Sequence, residues 1–521
     1  MSHVIGIDIG SSSIKIGAIN KEGDMAFVLR KPYSFQYLDQ GRVEIDLDQI
    51  WKETKSLLQK AFEKVRRIGC VNAISLSTFC NSSVFMDQKG NPLYSGIVYL
   101  DKRSVDEADW IKNEVGEKRL YKVTRNRMEA GMYSVSTLLW MKKNNPEIFY
   151  QTYRWGNLST FILHKLTGRF ILDWTQASFS GIFNPVNYQW SEELCEVIGV
   201  PMRLLPEIGE PGSMLGDLID FDGVFNEARI PVIVGGADTA CSALALNIRP
   251  NEMFESVGTS DVLTVCSHHP ERLDTRFLNR SHVIKNQWLS HGAMSTPGAS
   301  ISWFYNNFLK DEGDKSIALE TVPEQSAIGA NGVFFLPYMH GERTPIWDPY
   351  ARGTFIGLQI NTSKSDMIKA IFEGCAYGLK QINDIVEKKY QLIHTSFQSI
   401  GGGAKNRHWT QIKANVLNKQ IEVKDVNETA VFGACLLAGI GASYFSSFKE
   451  AMQICPTKTI FTVEPEETSV KIYRELYELF CEIYPSLKSF FQKSSIIKDR
   501  NVTQVNAKSG ENLICQTMNS K

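Results

Sequence analysis

Two acids carry the chemistry that this sequence suggests. The first is Asp8, in the run Ile5-Gly-Ile-Asp8-Ile-Gly10-Ser11-Ser12-Ser13-Ile-Lys15. An apolar stretch ends in a carboxylate, a Gly-Ser turn follows, and a lysine opens a second apolar stretch. Gly10 permits a tight turn with the backbone close to an anion. Ser11 to Ser13 offer hydroxyls and N–H groups to phosphate oxygens, and Lys15 adds a positive charge. Asp8 suits a hydrated Mg²⁺, which keeps several waters and takes only one or two carboxylates. An ordinary hairpin with a polar turn fits the same residues, because Gly/Ser turns are common.

The second acid is Asp238, in Pro231-Val-Ile-Val-Gly235-Gly236-Ala-Asp238-Thr-Ala-Cys241. It follows a β-rich run and a Gly-Gly turn and opens a helix of small residues. Such an acid is either a helix N-cap or a general base that takes a proton from an alcohol during phosphoryl transfer. Taken alone, the cap is the commoner role. Three further segments have ligand-binding character. Ser295-Thr-Pro-Gly298-Ala-Ser300-Ile-Ser302-Trp303 opens a helix with small residues, whose free N–H groups attract anions. Gly401-Gly402-Gly403-Ala-Lys405-Asn406 joins a strand to a helix, and three successive glycines cost stability unless a ligand or backbone lies against them. The Pro-rich loop 335–345 holds Glu342 and Arg343, for which a structural role is the stronger reading.

Elements must position these residues. Apolar spacing predicts strands over 4–9, 15–19, 25–30, 71–77, 83–86 and 231–234, and a helix over 47–66. Residues 100–170 read as mainly helical, stopping at Gly168. A second strand–turn–strand unit, 253–257, Gly258-Thr259-Ser260 and 262–266, echoes the opening hairpin. This weak internal repeat suggests two related domains, each lending a phosphate-binding hairpin to a cleft between them. Helices are expected at 298–309, 366–387, 406–417 and 429–446, and an amphipathic C-terminal helix at 464–493, broken near Pro485. From about 496 to 521 the chain is polar and aperiodic, which predicts mobility.

The chain's 521 residues exceed what one core supports, so two large domains are expected. A formal net charge of −1 gives no reason to expect nucleic acid or an anionic membrane as partner. No apolar run reaches bilayer length and no secretory signal is visible. Ten cysteines are scattered singly without a Cys-x-x-Cys pair. They read as reduced, mostly buried thiols of a cytoplasmic protein, and a structural zinc site is not expected. A homodimer is the default for oligomeric state.

Taken in order, these blocks resemble the FGGY carbohydrate kinase family over roughly residues 4–445. Asp8 to Lys15 looks like the first phosphate motif, and Tyr99-Leu-Asp101-Lys-Arg103-Ser104 is similar to the family's Trp-Asn-Asp-Gly-Arg segment. Gly235-Gly-Ala-Asp238 matches the segment of the catalytic base, and Gly258-Thr259-Ser260 the second phosphate loop. The 298–303 and 401–406 blocks match nucleotide segments, while Gly341-Glu-Arg-Thr-Pro345 and residues 433–439 are also family-like. The pattern looks closest to xylulokinase and gluconokinase-like members. The resemblance implies an α/β fold of two actin-like ATPase (ribonuclease H-like) domains with a cleft between them: 1–246 for sugar and first phosphate hairpin, 247–455 for nucleotide, and 456–521 as a helical extension and mobile tail. It implies Mg²⁺–ATP giving its γ-phosphate to a small sugar or polyol, most simply a ketopentose.

In that reading Asp238 takes the proton and Asp8 organises Mg²⁺. Ser11, Ser12, Lys15, Gly258 and Thr259 contact phosphates, and Gly298, Ser302, Gly402, Gly403 and Asn406 hold the nucleotide. Where xylulokinases carry Gln-Met-His-Gly, this chain has Phe79-Cys80-Asn81-Ser82, so the pocket's hydrogen-bonding pattern differs. Cys80, Asn81, Asp101, Met132 and Tyr133 are carried over as pocket positions, and another polyol, a sugar acid or another ketose is the alternative acceptor. From another class, an actin- or Hsp70-type nucleotide-gated binding protein shares the hairpins without needing Asp238.

Overall fold

The computed structural model describes residues 1–219, 229–392, 394–426, 428–454 and 457–518. The chain divides into two compact units. The first comprises Met1–Met253, Val265–His291 and Asp425–Lys458; the second comprises Phe254–Thr264, Gly292–Lys424 and the chain from Thr459.

The first unit is built on strands β1 (Ser2–Ile9), β2 (Ser13–Ile19) and β3 (Met25–Pro32), helix α1 (Leu47–Arg66), and strands β4 (Cys70–Thr78), β5 (Met214–Asp217) and β6 (Pro231–Ala237). They form one sheet in the order β5-β6-β4-β1-β2-β3. β1 pairs antiparallel with β2 and parallel with β4, and β6 runs parallel to β4. Central β1 is covered on both faces, so its sequence is a near-continuous apolar run. Edge strand β3 alternates between half-buried and exposed residues along most of its length, as a one-faced strand must. Helix α1 starts where the Asp46 side chain accepts the Gln49 N–H, and it buries a stripe including Ile50, Leu57, Leu58, Phe62 and Val65. Helix α2 (Asp238–Ala245) follows β6 directly.

The second unit repeats this plan. Strands β7 (Met253–Val257) and β8 (Asp261–Ser267) are neighbours, and the order continues β8-β7-β11-β12, where β11 is Ser396–Ile400 and β12 is Gln420–Asp425. β7 and β11 are parallel, as are β11 and β12. The run β2-β1-β4-β6 in the first unit and β8-β7-β11-β12 in the second thus share a hairpin followed by two parallel strands. In sequence, β9 (Leu278–Ser281) and β10 (Trp288–Met294) come between β8 and β11, paired antiparallel in the first unit through residues 278–281 and 288–291. Helices α3 (Pro297–Phe304), α4 (Lys364–Ile385) and α5 (Arg407–Leu417) belong to the second unit, and α6 (Thr429–Gly441) to the first.

Two expectations need correction. Gly235 and Gly236 are not a turn: they lie inside β6, which runs on to Ala237. The pairing with β4 slips between Ile233 and Gly236, and a Cβ on Gly235 would stand 1.6 Å from the Leu76 carbonyl oxygen. Only glycine fits a strand pressed that closely onto its neighbour. The C-terminal helix does not break at Pro485 either; α7 runs Glu467–Met518 with Pro485 inside it. Tyr473 donates to Glu373 and Tyr484 to Asp348 before the proline, and Phe491 is buried beyond it. Packing on both sides outweighs the one lost backbone hydrogen bond. The eight described cysteines are all free and five of them are buried; Cys455 and the Cys515 side chain lie outside the described residues. No described helix is long and apolar enough to cross a membrane.

Candidate active site

Asp8 is the last residue but one of β1, where its carboxylate is buried. Its Oδ1 accepts a hydrogen bond from Ser77 Oγ on β4 at 3.0 Å. Its Oδ2 lies 3.9 Å from Lys15 Nζ, and that ammonium pairs with Glu428 at 2.5 Å. Burial, and next the negative charge of Asp238, push the Asp8 carboxyl up to about 7. The hairpin turn is fixed by its own backbone: the Gly10 N–H donates to the Ser13 carbonyl, and Tyr33, just after β3, braces it through its N–H to the Ser12 carbonyl and its hydroxyl to that of Gly10. Ser11 and Ser12 stay exposed at the tip, while Ser13 is buried.

Asp238 occupies the first turn of α2, and the N-cap is Ala237. The acid therefore does not cap the helix. Its Oδ1 accepts from the Thr239 N–H at 2.7 Å and the Thr239 hydroxyl at 3.0 Å, whereas its Oδ2 accepts from no described residue. A buried relay sets its position. Asp173 accepts from the Thr175 hydroxyl at 2.5 Å, and the Thr175 oxygen accepts the Ala237 N–H at 2.7 Å. The result is a half-buried carboxylate with one oxygen fastened and one open, beside a second carboxylate.

Three expected acceptor segments converge. Asn81, held at φ +64°, donates from Nδ2 to the Gly131 carbonyl at 2.5 Å, joining residues 79–82 to Met132 and Tyr133. A Cβ on Gly131 would meet the Tyr99 and Asp101 carbonyls at 2.6 Å, which brings in the third segment. Cys80 is half-buried, and burial pushes its thiol up to about 12. Phe79 points into a ring cluster with Phe35 and Tyr99. Asp101 is placed otherwise than expected: its carboxylate accepts from the Val43 N–H at 2.6 Å, the Arg103 N–H at 2.9 Å, and Arg103 Nε and Nη2 at 2.8 Å each. Those bonds leave it in the frame of the site, holding an arginine that also reaches Glu44.

The second unit holds a cavity of about 780 Å³ lined by Gly258, Thr259, Gly298, Ser302, Gly402, Gly403 and Asn406. All seven were expected to contact nucleotide. A Cβ on Gly298 would stand 2.0 Å from the Gly258 carbonyl oxygen, and the Ala299 N–H donates to the Thr259 carbonyl at 3.1 Å. Glycine at 298 thus lets the start of α3 lie against the β7–β8 turn. Gly402 has nothing within 4 Å of its Cβ position, so it faces free space. Asn406 caps α5, accepting the Trp409 N–H at 2.7 Å and donating to the Leu319 carbonyl at 3.1 Å. Ser302 accepts from Lys315 at 3.0 Å. Asn306, Lys315, Leu319 and Phe372 also line the cavity; nothing in their local spacing marked them, because they arrive from three different elements. Glu342 has the structural role expected, accepting the Ser295 and Arg343 N–H groups at 2.7 Å each.

Comparison with known proteins gives the family. The model of the N-terminal domain of the FGGY family of carbohydrate kinases matches residues 3–245, and that of its C-terminal domain matches 253–442. The chain belongs to the FGGY family of carbohydrate kinases. It is 30% identical over 490 residues to the xylulose kinase of Staphylococcus xylosus, covering 93% of this chain and 100% of that one. It is 26% identical to the gluconokinase of Bacillus licheniformis, covering 94% and 96%. Among solved structures, a xylulose kinase from Rhodospirillum rubrum superposes with a TM-score of 0.87 at 23% identity, covering 94% of this chain and 100% of that one. The FGGY chain is thus an ATP-dependent sugar kinase with the two-domain mixed α/β fold of actin-like ATPases (ribonuclease H-like). Membership sets aside the reading as a nucleotide-gated binding protein.

Proposed function

We propose that this kinase phosphorylates a hydroxyl of a small sugar of ketopentose size, as in a xylulose kinase, with Asp238 as the general base. The observation that carries this reading is the open Oδ2 of Asp238 beside the buried Asp8. A carboxylate with one oxygen anchored and one open accepts a proton along a fixed direction. Ser11, Ser12, Lys15, Gly258 and Thr259 are assigned to the phosphates, and Gly298, Ser302, Gly402, Gly403 and Asn406 to the nucleoside end.

Asp8 is assigned to Mg²⁺. Among the described residues no group of three or more His, Cys, Asp or Glu side chains forms a metal cage. That suits a cation held mainly by phosphate and water oxygens with one or two carboxylates, and Asp8 Oδ2 is available to it. When bound, the cation neutralises charge on the transferring phosphoryl group. Asp238 removes the acceptor proton, Ser77 and Lys15 hold Asp8 in place, and the N–H groups of the two Gly-Ser/Thr turns bind phosphate oxygens.

A second reading, with a polyol, a sugar acid or another ketose as acceptor, has support from residues 79–82. There Phe79 is buried among rings and the Asn81 amide is spent on Gly131. A coupled ADP-release screen over pentuloses, pentitols, hexuloses, glycerol and aldonic acids tests both. Acceptor-dependent ADP release that disappears in Asp238→Ala is expected. Release that ignores the acceptor, or survives the substitution at near-normal rate, overturns the assignment.

A further inference from the structure

Arg280 lies mid-strand in β9, opposite Leu289 of β10. The strand is tied down on either side of it. Asn279 exchanges backbone–amide hydrogen bonds with Asn126 at 2.8 Å each, and the Ser281 N–H donates to Ser178 Oγ at 3.0 Å. Side chains alternate along a strand, so Arg280 leaves the face opposite to the Asn279 and Ser281 side chains. It is only 5% exposed, and its guanidinium lies over the Phe179 ring at 4.5 Å from the centroid. Yet its Nε and Nη1 have no hydrogen-bond partner, and no carboxylate of the described residues pairs with it. A buried charge left in that state is costly unless something satisfies it.

Its surroundings identify where that something sits. The Arg280 charge acts on Cys80, on Asp173 and on Tyr133, and the Cys80 thiol also feels Asp238. Tyr133 packs on the same Phe179 ring at 5.8 Å, and its fully buried hydroxyl likewise has no partner. Asp173 makes no ion pair with it; the Asp173 Oδ1 accepts from Thr175 and Gln176 as the cap of their turn. Two unsatisfied donors therefore stand beside the expected acceptor positions Cys80 and Met132, within electrostatic reach of the proposed base. Arg103, the other buried arginine of this region, shows the contrast: Asp101, Glu44 and Tyr94 occupy its donors.

We infer that Arg280 is a specificity-determining residue that binds a carboxylate of the acceptor, so that the substrate is a sugar acid of about five or six carbons. A neutral hydroxyl fills a hydrogen bond but leaves the buried charge uncompensated, whereas a carboxylate does both. Tyr133 supplies a further donor to the same oxygens. The inference rests on the kinase reading with Asp238 as base and, within it, favours the second acceptor reading, a sugar acid, over the ketopentose.

The test compares five- and six-carbon aldonic acids with the alditols of equal length and with D-xylulose, by coupled ADP release. The wild type is expected to favour each acid over its alditol, and over D-xylulose, by about a hundredfold or more in kcat/KM. Arg280→Gln is expected to erase that preference through the KM of the acid, with the KM of ATP unchanged, and Arg280→Lys to restore part of it. Preference for a neutral acceptor, or an equal effect of Arg280→Gln on acids and neutral sugars, overturns the inference. Thermal unfolding with and without each aldonate, in metal-free buffer, reads binding separately from turnover. An acid-induced rise in Tm that Arg280→Gln loses and Arg280→Lys keeps in part supports the role of Arg280 even where no acceptor releases ADP, an outcome that overturns the general-base assignment instead. Equal rises in wild type and Arg280→Gln overturn the inference.

Discussion

The two units use carboxylates in opposite ways. In the first, Asp8 and Asp238 keep an oxygen available, and the Asp238 charge adds to the cost of ionising Asp8. In the second, acids near the cavity are fasteners. Glu342 holds the start of α3 through Ser295, and Glu255 and Asp261 clamp the buried Lys413 at 2.5 and 2.6 Å. The space in that unit is made by glycines and apolar walls. The difference teaches that reaction and binding are built from different material: chemistry needs unsatisfied charge held still, and nucleotide binding needs emptied volume with a rigid frame.

The strongest way to break this contrast is Asp238→Ala. Turnover is expected to fall by about a hundredfold or more while ATP affinity, measured by calorimetry, holds. An equal loss of ATP affinity would mean that Asp238 is part of the binding frame. The converse probe is Gly298→Ala, which sets a methyl against the Gly258 carbonyl. Overpacking is expected to cost about 1–3 kcal/mol in thermal unfolding, and the displaced turn to raise the nucleotide KM about tenfold or more.

Glu342 tests the fastener role through pH. Burial pushes its carboxyl up to about 7. The folded state therefore binds a proton that the unfolded state has released, and stability falls as pH rises from the ordinary carboxyl range through about 7. Glu342→Gln keeps an oxygen for Ser295 and removes the titration. Its Tm relative to the wild type is expected to climb across that window and level off above it; a gap independent of pH would contradict the assignment. The smallest effect is expected from Gly402→Ala. The residue has φ −65° and free space around its Cβ position, so folding stability should hold or rise by about 0.4–1 kcal/mol. Nucleotide affinity should drop several-fold if the vacant volume belongs to the ligand.

Much of the site was legible because its parts are local. The hairpin of Asp8 to Lys15 and the turn at Gly258 are contiguous, and apolar runs on both sides of a Gly-Ser/Thr turn leave few alternatives. The Gly-Gly pair before Asp238 marked a close approach, but not that the approach was strand to strand. Pro485 read as a break because local propensity was weighed without the tyrosines that pin α7 on a neighbouring surface. Arg280 carried no signal at all: in sequence it is one arginine in a polar strand, with nothing to show that its partners end at Phe179.

Residue order alone determined the strand and turn chemistry, the placing of two acids after apolar strands, and the glycines that admit close contact, since backbone preference and periodicity act over a few positions. Tertiary structure decided which oxygens are spent and which stay open. Asp8 is held by Ser77 and Asp101 is engaged by Val43, because hydrogen-bond satisfaction depends on groups tens of residues away that only folding brings within about 3 Å.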